Sequence, residues 1–207
     1  NFKELYKKEE FVPVTDSDCE IIIHLYLKYG IEQTLNMING EFAFALYDLT
    51  NELMYLARDP YGVRALYIMD DYYSNFTNPI IFGSEMKMLH PFLNICKTLK
   101  IKQFKPGHYM KFDNSNIKYW TTNNIMLPYY NRPNFYKAPY YISEDVALEK
   151  ISTTLENCIK RRVTTSERPI ACLLSGGLDS SLITSLVSKY YKKGQLETYS
   201  IGMPGSE

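Results

Sequence analysis

Apolar residues recur at helical spacing from Ile21 onward: Ile21, Ile22, Leu25 and Tyr29 share one face before Gly30 ends the run. Just ahead, Ser17-Asp18-Cys19-Glu20 has the spacing of a capping box, with Ser17 as N-cap and Glu20 reaching back to it. Ile31, Leu35 and Ile38 continue the spacing and predict a second short helix with those three inward. The period then changes. From Gly40 to Asp48 both alternating sets, Phe42/Phe44/Leu46 and Ala43/Ala45/Tyr47, are apolar, which predicts a strand buried on both faces. Asn51-Glu52 fits a tight turn, and Leu53 to Ala57 the returning strand of a hairpin. Tyr67 to Met69, Ile80 to Gly83 and Tyr109 to Phe112 read as further strands, Glu85 to Leu89 as a short helix and Pro106-Gly107 as a turn. The first region is therefore a stacked α/β arrangement rich in antiparallel hairpins.

Regularity fails from about Thr121 to Tyr141, where Pro128, Pro133 and Pro139 are spread among Asn and Tyr residues. This divides the chain into a first domain at 1–125, a linker at 126–142 and a second domain at 143–207. The linker tyrosines are expected to pack on neighbouring surfaces. Beyond them Ser143 can cap a helix whose first turn carries Glu144 and Asp145, favourable at the positive dipole end. Leu148, Ile151, Leu155 and Ile159 mark its expected buried stripe, and Lys160, Arg161 and Arg162 sit near its negative end. After Pro169 come an apolar strand (Ile170 to Leu174), a glycine-rich loop, a helix (about Leu178 to Tyr191) and a second strand (Thr198 to Ile201). That order is the βαβ unit of a parallel sheet.

Composition narrows the classes. The 207 residues are 45% hydrophobic and 22% charged with zero formal net charge, so bulk electrostatics offers neither nucleic acid nor an anionic membrane as partner. No apolar stretch is long enough to span a bilayer, and the opening NFKELYKKEE is charged rather than signal-like. Cys19, Cys96, Cys158 and Cys172 have no CxxC spacing and no nearby histidine set that would hold zinc. They read as reduced thiols of a cytoplasmic protein, with Cys158 and Cys172 in the core. His24, His90 and His108 are scattered singly and read as surface or satisfied-core residues.

The clearest chemistry lies in Ser175-Gly176-Gly177-Leu178-Asp179-Ser180, between the apolar strand and a helix N-terminus. Unpaired backbone N–H groups and the positive dipole end meet there and hold an anion. Gly176 and Gly177 let the backbone approach a phosphate, and Ser175 and Ser180 add hydroxyl donors. The loop lacks the Gly-Lys-Ser/Thr of a P-loop and the three-glycine dinucleotide pattern. SGGLDS is instead similar to the ATP pyrophosphatase loop, which grips the β- and γ-phosphates; the plainer reading is a glycine-rich turn before an N-capped helix.

With that loop in place the whole chain resembles the asparagine synthetase family. DSDCEIIIHLYLKYGIEQTL, NGEFAFALYD, LARDPYGVRALY, FGSEMKML, FKPGHY, ACLLSGGLDSSLITSLV and TYSIGMPGSE stand in that family's order. The resemblance implies an N-terminal-nucleophile (αββα sandwich) glutaminase domain, truncated at its start. It is followed by the first βαβ of an adenine-nucleotide α-hydrolase-like (ATP pyrophosphatase) domain. The implied activity is ATP-dependent conversion of aspartate to asparagine through β-aspartyl-AMP, with ammonia released from glutamine. ATP and Mg²⁺ are the implied cofactors, and a homodimer is the family expectation. Asp18 matches the glutamine-binding aspartate, which would meet the α-ammonium group. Leu174 and Ile201 match positions that bracket adenine and ribose, at the strand ends where open α/β sheets bind ligands. Two roles fit Asp179: holding Mg²⁺ on the pyrophosphate, or fixing the loop by accepting backbone hydrogen bonds. Arg58-Asp59-Pro60-Tyr61-Gly62-Val63-Arg64 is similar to a glutamine-amidotransferase segment and reads as structural, with Ala65 where proline is usual.

The family's nucleophile, a cysteine exposed as first residue with its own amine as base, is absent from these residues. Cys19 falls inside the predicted helix, and Asn39-Gly40-Glu41 belongs to the buried strand rather than to an oxyanion hole. The expectation is a fragment inactive by itself. Three other readings remain: a relative acting on another substrate, as a β-lactam synthetase does; an amidotransferase with a different acceptor; and a non-catalytic truncated chain.

Overall fold

The computed structural model describes residues 2–70, 81–94, 99–113, 126–131 and 142–202. The chain divides into two compact units, Asn1–Pro133 and Asn134–Glu207.

The first unit begins with α1 (Phe2–Glu9) and α2 (Glu20–Met37). Gly30, at φ 79° and ψ 174°, breaks α2 into two helices, as the spacing predicts. Strands β1 (Ala43–Asp48), β2 (Leu53–Arg58), β6 (His108–Asp113) and β7 (Leu127–Pro128) form one antiparallel sheet in the order β1-β2-β6-β7. Strands β3 (Tyr67–Asp70), β4 (Ile81–Gly83) and β5 (Lys100–Gln103) form a second in the order β4-β3-β5. A short helix α3 (Met86–Leu89) follows β4.

Period-two alternation sorts these side chains into layers. Leu56, Met110 and Phe112 of the first sheet meet Ile68 and Phe82 of the second, with Leu66 and Phe104 between. The opposite face of the first sheet presents Tyr55, Ala57 and Tyr109 to Ile31 and Leu35 of α2. The opposite face of the second presents Tyr67, Met69 and Ile81 to Leu89 of α3. Helix, sheet, sheet, helix is the αββα sandwich expected from the sequence.

Several local expectations fail for identifiable reasons. The capping box does not form: Cys19 is the N-cap of α2, and its side chain caps no backbone N–H. Glu20 instead accepts the Val14 and Thr15 N–H groups, because the preceding loop folds back over it. β1 is not buried on both faces. It is an edge strand, so Ala45 and Tyr47 are exposed while Phe44 and Leu46 pack toward α2. Within the stretch read as linker, residues 126–131 supply β7, whose Leu127 and Pro128 pair with Tyr109 and His108. Residues 132–141 of that stretch, like Ile80 and Cys96, lie outside the described residues.

The second unit contains α4 (Glu144–Thr165), β8 (Ala171–Leu173), α5 (Leu178–Tyr190) and β9 (Glu197–Tyr199). Ser143 caps α4 as expected, accepting the Val146 N–H at 3.4 Å. β8 and β9 pair in parallel, Ala171 opposite Glu197 and Leu173 opposite Tyr199, so the βαβ unit is present. Ile159 and Val163 of α4, Cys172 of β8 and Val187 and Tyr191 by α5 make its core. The buried stripe of α4 is shorter than predicted, with Leu148 57% and Ile151 63% exposed. α5 has 13 residues against 22 in α4, and at about 1.5 Å per residue it can cover only part of its length. Cys158, expected in the core, is exposed on α4. Leu173 is 83% exposed, because a two-stranded sheet buries β8 only through Cys172.

Candidate functional site

Each unit carries one candidate site. In the first, a loop leads from Phe11 to α2 with Val12, Val14 and Asp18 exposed. Beyond Phe11 its valines are exposed, and hydrogen bonds hold it. One Glu20 oxygen, Oε1, accepts the Val14 N–H at 2.7 Å, and Oε2 accepts the Thr15 N–H at 2.7 Å and the Thr15 hydroxyl at 2.5 Å. With the Thr15 hydroxyl foremost among them, these donors hold the Glu20 carboxyl at about 2, well below its usual range. His24 Nε2 lies 3.1 Å from Oε1, and its ring stacks on Phe11 at 4.9 Å between centroids. Asp18 stands at the turn before the helix. The Cys19 thiol is 3.6 Å from its Oδ1, a weak donor that leaves most of the carboxylate's acceptor capacity open.

At the end of β2, Arg58 and Asp59 are 2% and 1% exposed. The Arg58 guanidinium donates to the carbonyls of Phe104, Arg64 and Gly62 at 2.6, 2.7 and 2.7 Å. Asp59 accepts from the N–H groups of Tyr61, Val63 and Arg64, each at 3.0 Å. Both charges are spent on backbone groups, those of the loop between β2 and β3 and the Phe104 carbonyl after β5, so the pair is structural, as its sequence context implied.

In the second unit, β8 runs into the loop of Ser175 to Ser180. Gly176 has φ 83°, a backbone that a side chain would disfavour, and a Cβ there would meet nothing within 4 Å. Gly177 is the N-cap of α5 and offers no side-chain cap, so the first-turn N–H groups of α5 lack the usual acceptor. Ser175 and Ser180 face each other, hydroxyl to hydroxyl at 3.0 Å, and Ser180 also bonds the Gly177 carbonyl at 3.1 Å. Ser181, which the sequence reading passed over, donates to the same carbonyl at 2.8 Å. Its signal was present in the doubled serine of SGGLDSS.

Leu174 donates its N–H to the Tyr199 carbonyl at 2.8 Å and accepts the Ser200 hydroxyl at 2.5 Å. The ends of β8 and β9 are thereby joined beside the loop. Ile201 lies past the end of β9, which stops at Tyr199 rather than running to Ile201, and it is fully exposed. A groove of about 420 Å³ opens beside the loop, lined by Arg162, Leu173, Asp179, Ser180 and Thr184 among others. The Thr184 hydroxyl is buried without a hydrogen-bond partner. Arg162, read from sequence only as a charge at the negative end of a helix, thus lies on the same groove as Asp179. Among the described residues no group of three or more His, Cys, Asp or Glu residues is placed to hold a metal ion. No described helix is long and apolar enough to cross a membrane.

Residues 1–91 match the family described as glutamine amidotransferase domain, and residues 150–207 match asparagine synthase. The first part of the chain is thus similar to glutamine amidotransferase domains and its last part to asparagine synthases. Over its whole length it is similar to glutamine-hydrolysing asparagine synthetases. It is 37% identical to that of Homo sapiens over 224 residues and 36% to that of Mesocricetus auratus over 221. A probable asparagine synthetase of Schizosaccharomyces pombe is 32% identical over 223 residues. In each case all of this chain is aligned, and it spans 38%, 38% and 36% of the relative's length. Among solved structures, the glutamine phosphoribosylpyrophosphate amidotransferase of B. subtilis aligns with 96% of this chain and 42% of its own, at 15% identity and TM-score 0.45. The allosteric regulatory enzyme of purine biosynthesis aligns with 97% of this chain and 42% of its own, at 17% identity and TM-score 0.46.

Proposed function

We propose that the polypeptide carrying this sequence is a glutamine-dependent carbon–nitrogen ligase that makes asparagine from aspartate and ATP. The observation that carries this reading is the uncapped N-terminus of α5 behind the end of β8, in a segment similar to asparagine synthases. Open N–H groups, a glycine at positive φ with free space around it and two facing hydroxyls suit the pyrophosphate portion of ATP. Gly176, Gly177, Ser175 and Ser180 would hold those oxygens, and Leu174 and Ile201 would flank the nucleoside. Asp179, on the groove beside them, would hold Mg²⁺ together with the pyrophosphate oxygens. The metal would supply charge neutralisation on the departing pyrophosphate.

In this reading aspartate attacks the α-phosphate, giving β-aspartyl-AMP and pyrophosphate, and ammonia then displaces AMP. Asp18, with its acceptor capacity largely open, would receive the α-ammonium of glutamine in the amide-cleaving domain. No cysteine among the described residues is placed as the nucleophile: Cys19 caps α2, while Cys158 and Cys172 belong to the second unit. The domain division at 1–125, 126–142 and 143–207, a cytoplasmic location and a homodimer complete the reading, on family likeness.

The test is transfer of label. The native polypeptide, given aspartate, ATP, Mg²⁺ and glutamine labelled with ¹⁵N at the amide, is expected to place that nitrogen in the side chain of asparagine. Label found only in free ammonia, with no asparagine formed, would refute it.

A further inference from the structure

We propose that Glu20 is a positioning residue for Asp18, acting through Thr15 and Ser17 to fix the turn that presents the Asp18 carboxylate to glutamine. The inference rests on the reading of Asp18 as the glutamine-binding group.

A chain of hydrogen bonds carries it. Glu20 Oε2 takes both the N–H and the hydroxyl of Thr15, so that hydroxyl has its oxygen turned to accept elsewhere. It accepts the Ser17 N–H at 3.2 Å. The Ser17 hydroxyl in turn accepts the Cys19 N–H at 3.2 Å, and the Ser17 carbonyl accepts the Glu20 N–H at 3.3 Å. The residues on both sides of Asp18 are thus tied back to one carboxylate. That carboxylate is itself anchored: His24 meets its other oxygen and is flanked by Phe11 and Tyr6 above the buried Leu5, Ile21 and Leu25. A glutamate that merely served the helix dipole would be expected to face the N–H groups of its own first turn. Three of the four donors to Glu20 come instead from the loop before the helix, and the fourth is His24. Val12 and Val14 are 79% and 87% exposed, so apolar burial does not replace these bonds.

The experiment measures glutamine hydrolysis and ammonia-driven synthesis in the native polypeptide that carries this sequence. Thr15→Val keeps the shape of the side chain and removes the central hydroxyl; Thr15→Ser keeps the hydroxyl. Thr15→Val and Glu20→Gln are expected to raise KM for glutamine about tenfold, the scale of losing hydrogen bonds to a charged group, with kcat within about twofold. Ammonia-driven synthesis should stay unchanged, and Thr15→Ser should restore KM. An unchanged KM in Thr15→Val and Glu20→Gln, alongside a raised KM in Asp18→Asn, overturns the positioning role. Parallel loss of ammonia-driven synthesis and thermal midpoint overturns it in favour of plain structural support. An unchanged KM in Asp18→Asn, or no hydrolysis by the native polypeptide, overturns the reading of Asp18 beneath it.

Discussion

Gly62 and Arg58 occupy one another's space: a Cβ added to Gly62 would lie 2.9 Å from the guanidinium carbon of Arg58 and 2.7 Å from Pro106 Cγ. Gly62 also has φ 67° and gives its carbonyl to the same guanidinium at 2.7 Å. The glycine is fixed by the arginine as much as by the turn. Gly62→Ala is expected to destabilise the first unit by about 2–4 kcal/mol, from left-handed backbone plus overlap. Gly176→Ala, at φ 83° with open space, should cost only about 1–2 kcal/mol, the backbone share alone. Urea unfolding of both variants checks the order; equal losses would contradict it.

Arg58 cannot be replaced by lysine without loss. Three carbonyls in different directions take its donors, and a single ammonium on a flexible stem cannot reach all of them. Arg58→Lys should lose about 1–3 kcal/mol through carbonyls left buried without partners, and Arg58→Met more. The midpoint of urea unfolding is the measurement.

Acid should weaken the first unit. Asp48 is held at about 2 by the Asn51 side chain first and then the Tyr26 hydroxyl, and Glu20 at about 2 by Thr15 and Val14. Both folded values are depressed, so the unfolded chain binds protons more readily below the ordinary carboxylate range. Their stabilisation is complete above about pH 4.5 and is lost as the pH falls toward 2. Asp48→Asn, which removes one such group, should flatten the fall in unfolding midpoint between pH 5 and pH 2.5, roughly the window these depressed carboxyls define.

The thiols should separate by reactivity. Cys19 and Cys158 are exposed and Cys172 is buried. Peptide mapping after brief alkylation is expected to find label on the first two and none on Cys172 until denaturant is added. Early label on Cys172 would contradict the packing of β8 against α4 and α5.

How much of this was legible in the sequence depended on what each residue's neighbours were. Gly30 announced its break because positive φ is a property of the residue itself, and Ser143 its cap because the acceptor and donor are three residues apart. The period-two strands 53–57 and 109–112 sorted into layers because alternation is local too. Ser17 and Glu20 misled, since the same spacing serves a capping box or a loop clamp, and only the fold-back of Val14 and Thr15 decides between them. Leu148, Ile151 and Leu173 carry apolar side chains on surfaces that the described elements leave open, which no periodicity can reveal. At the Ser175–Ser180 loop the six letters of SGGLDS suggested the phosphate chemistry proposed above. Ser200 and Thr184 went unread because they enter that region from just past the second strand and from the next turn of the helix.

The bond of ATP that breaks tests the central claim most directly. The native polypeptide, incubated with ATP, Mg²⁺, aspartate and glutamine, is expected to release AMP and pyrophosphate in step with asparagine, and to lose that release in Gly177→Val. Release of ADP and phosphate, or release of pyrophosphate without dependence on aspartate, would contradict the assignment of the Ser175–Ser180 loop to an asparagine-forming ATP pyrophosphatase site.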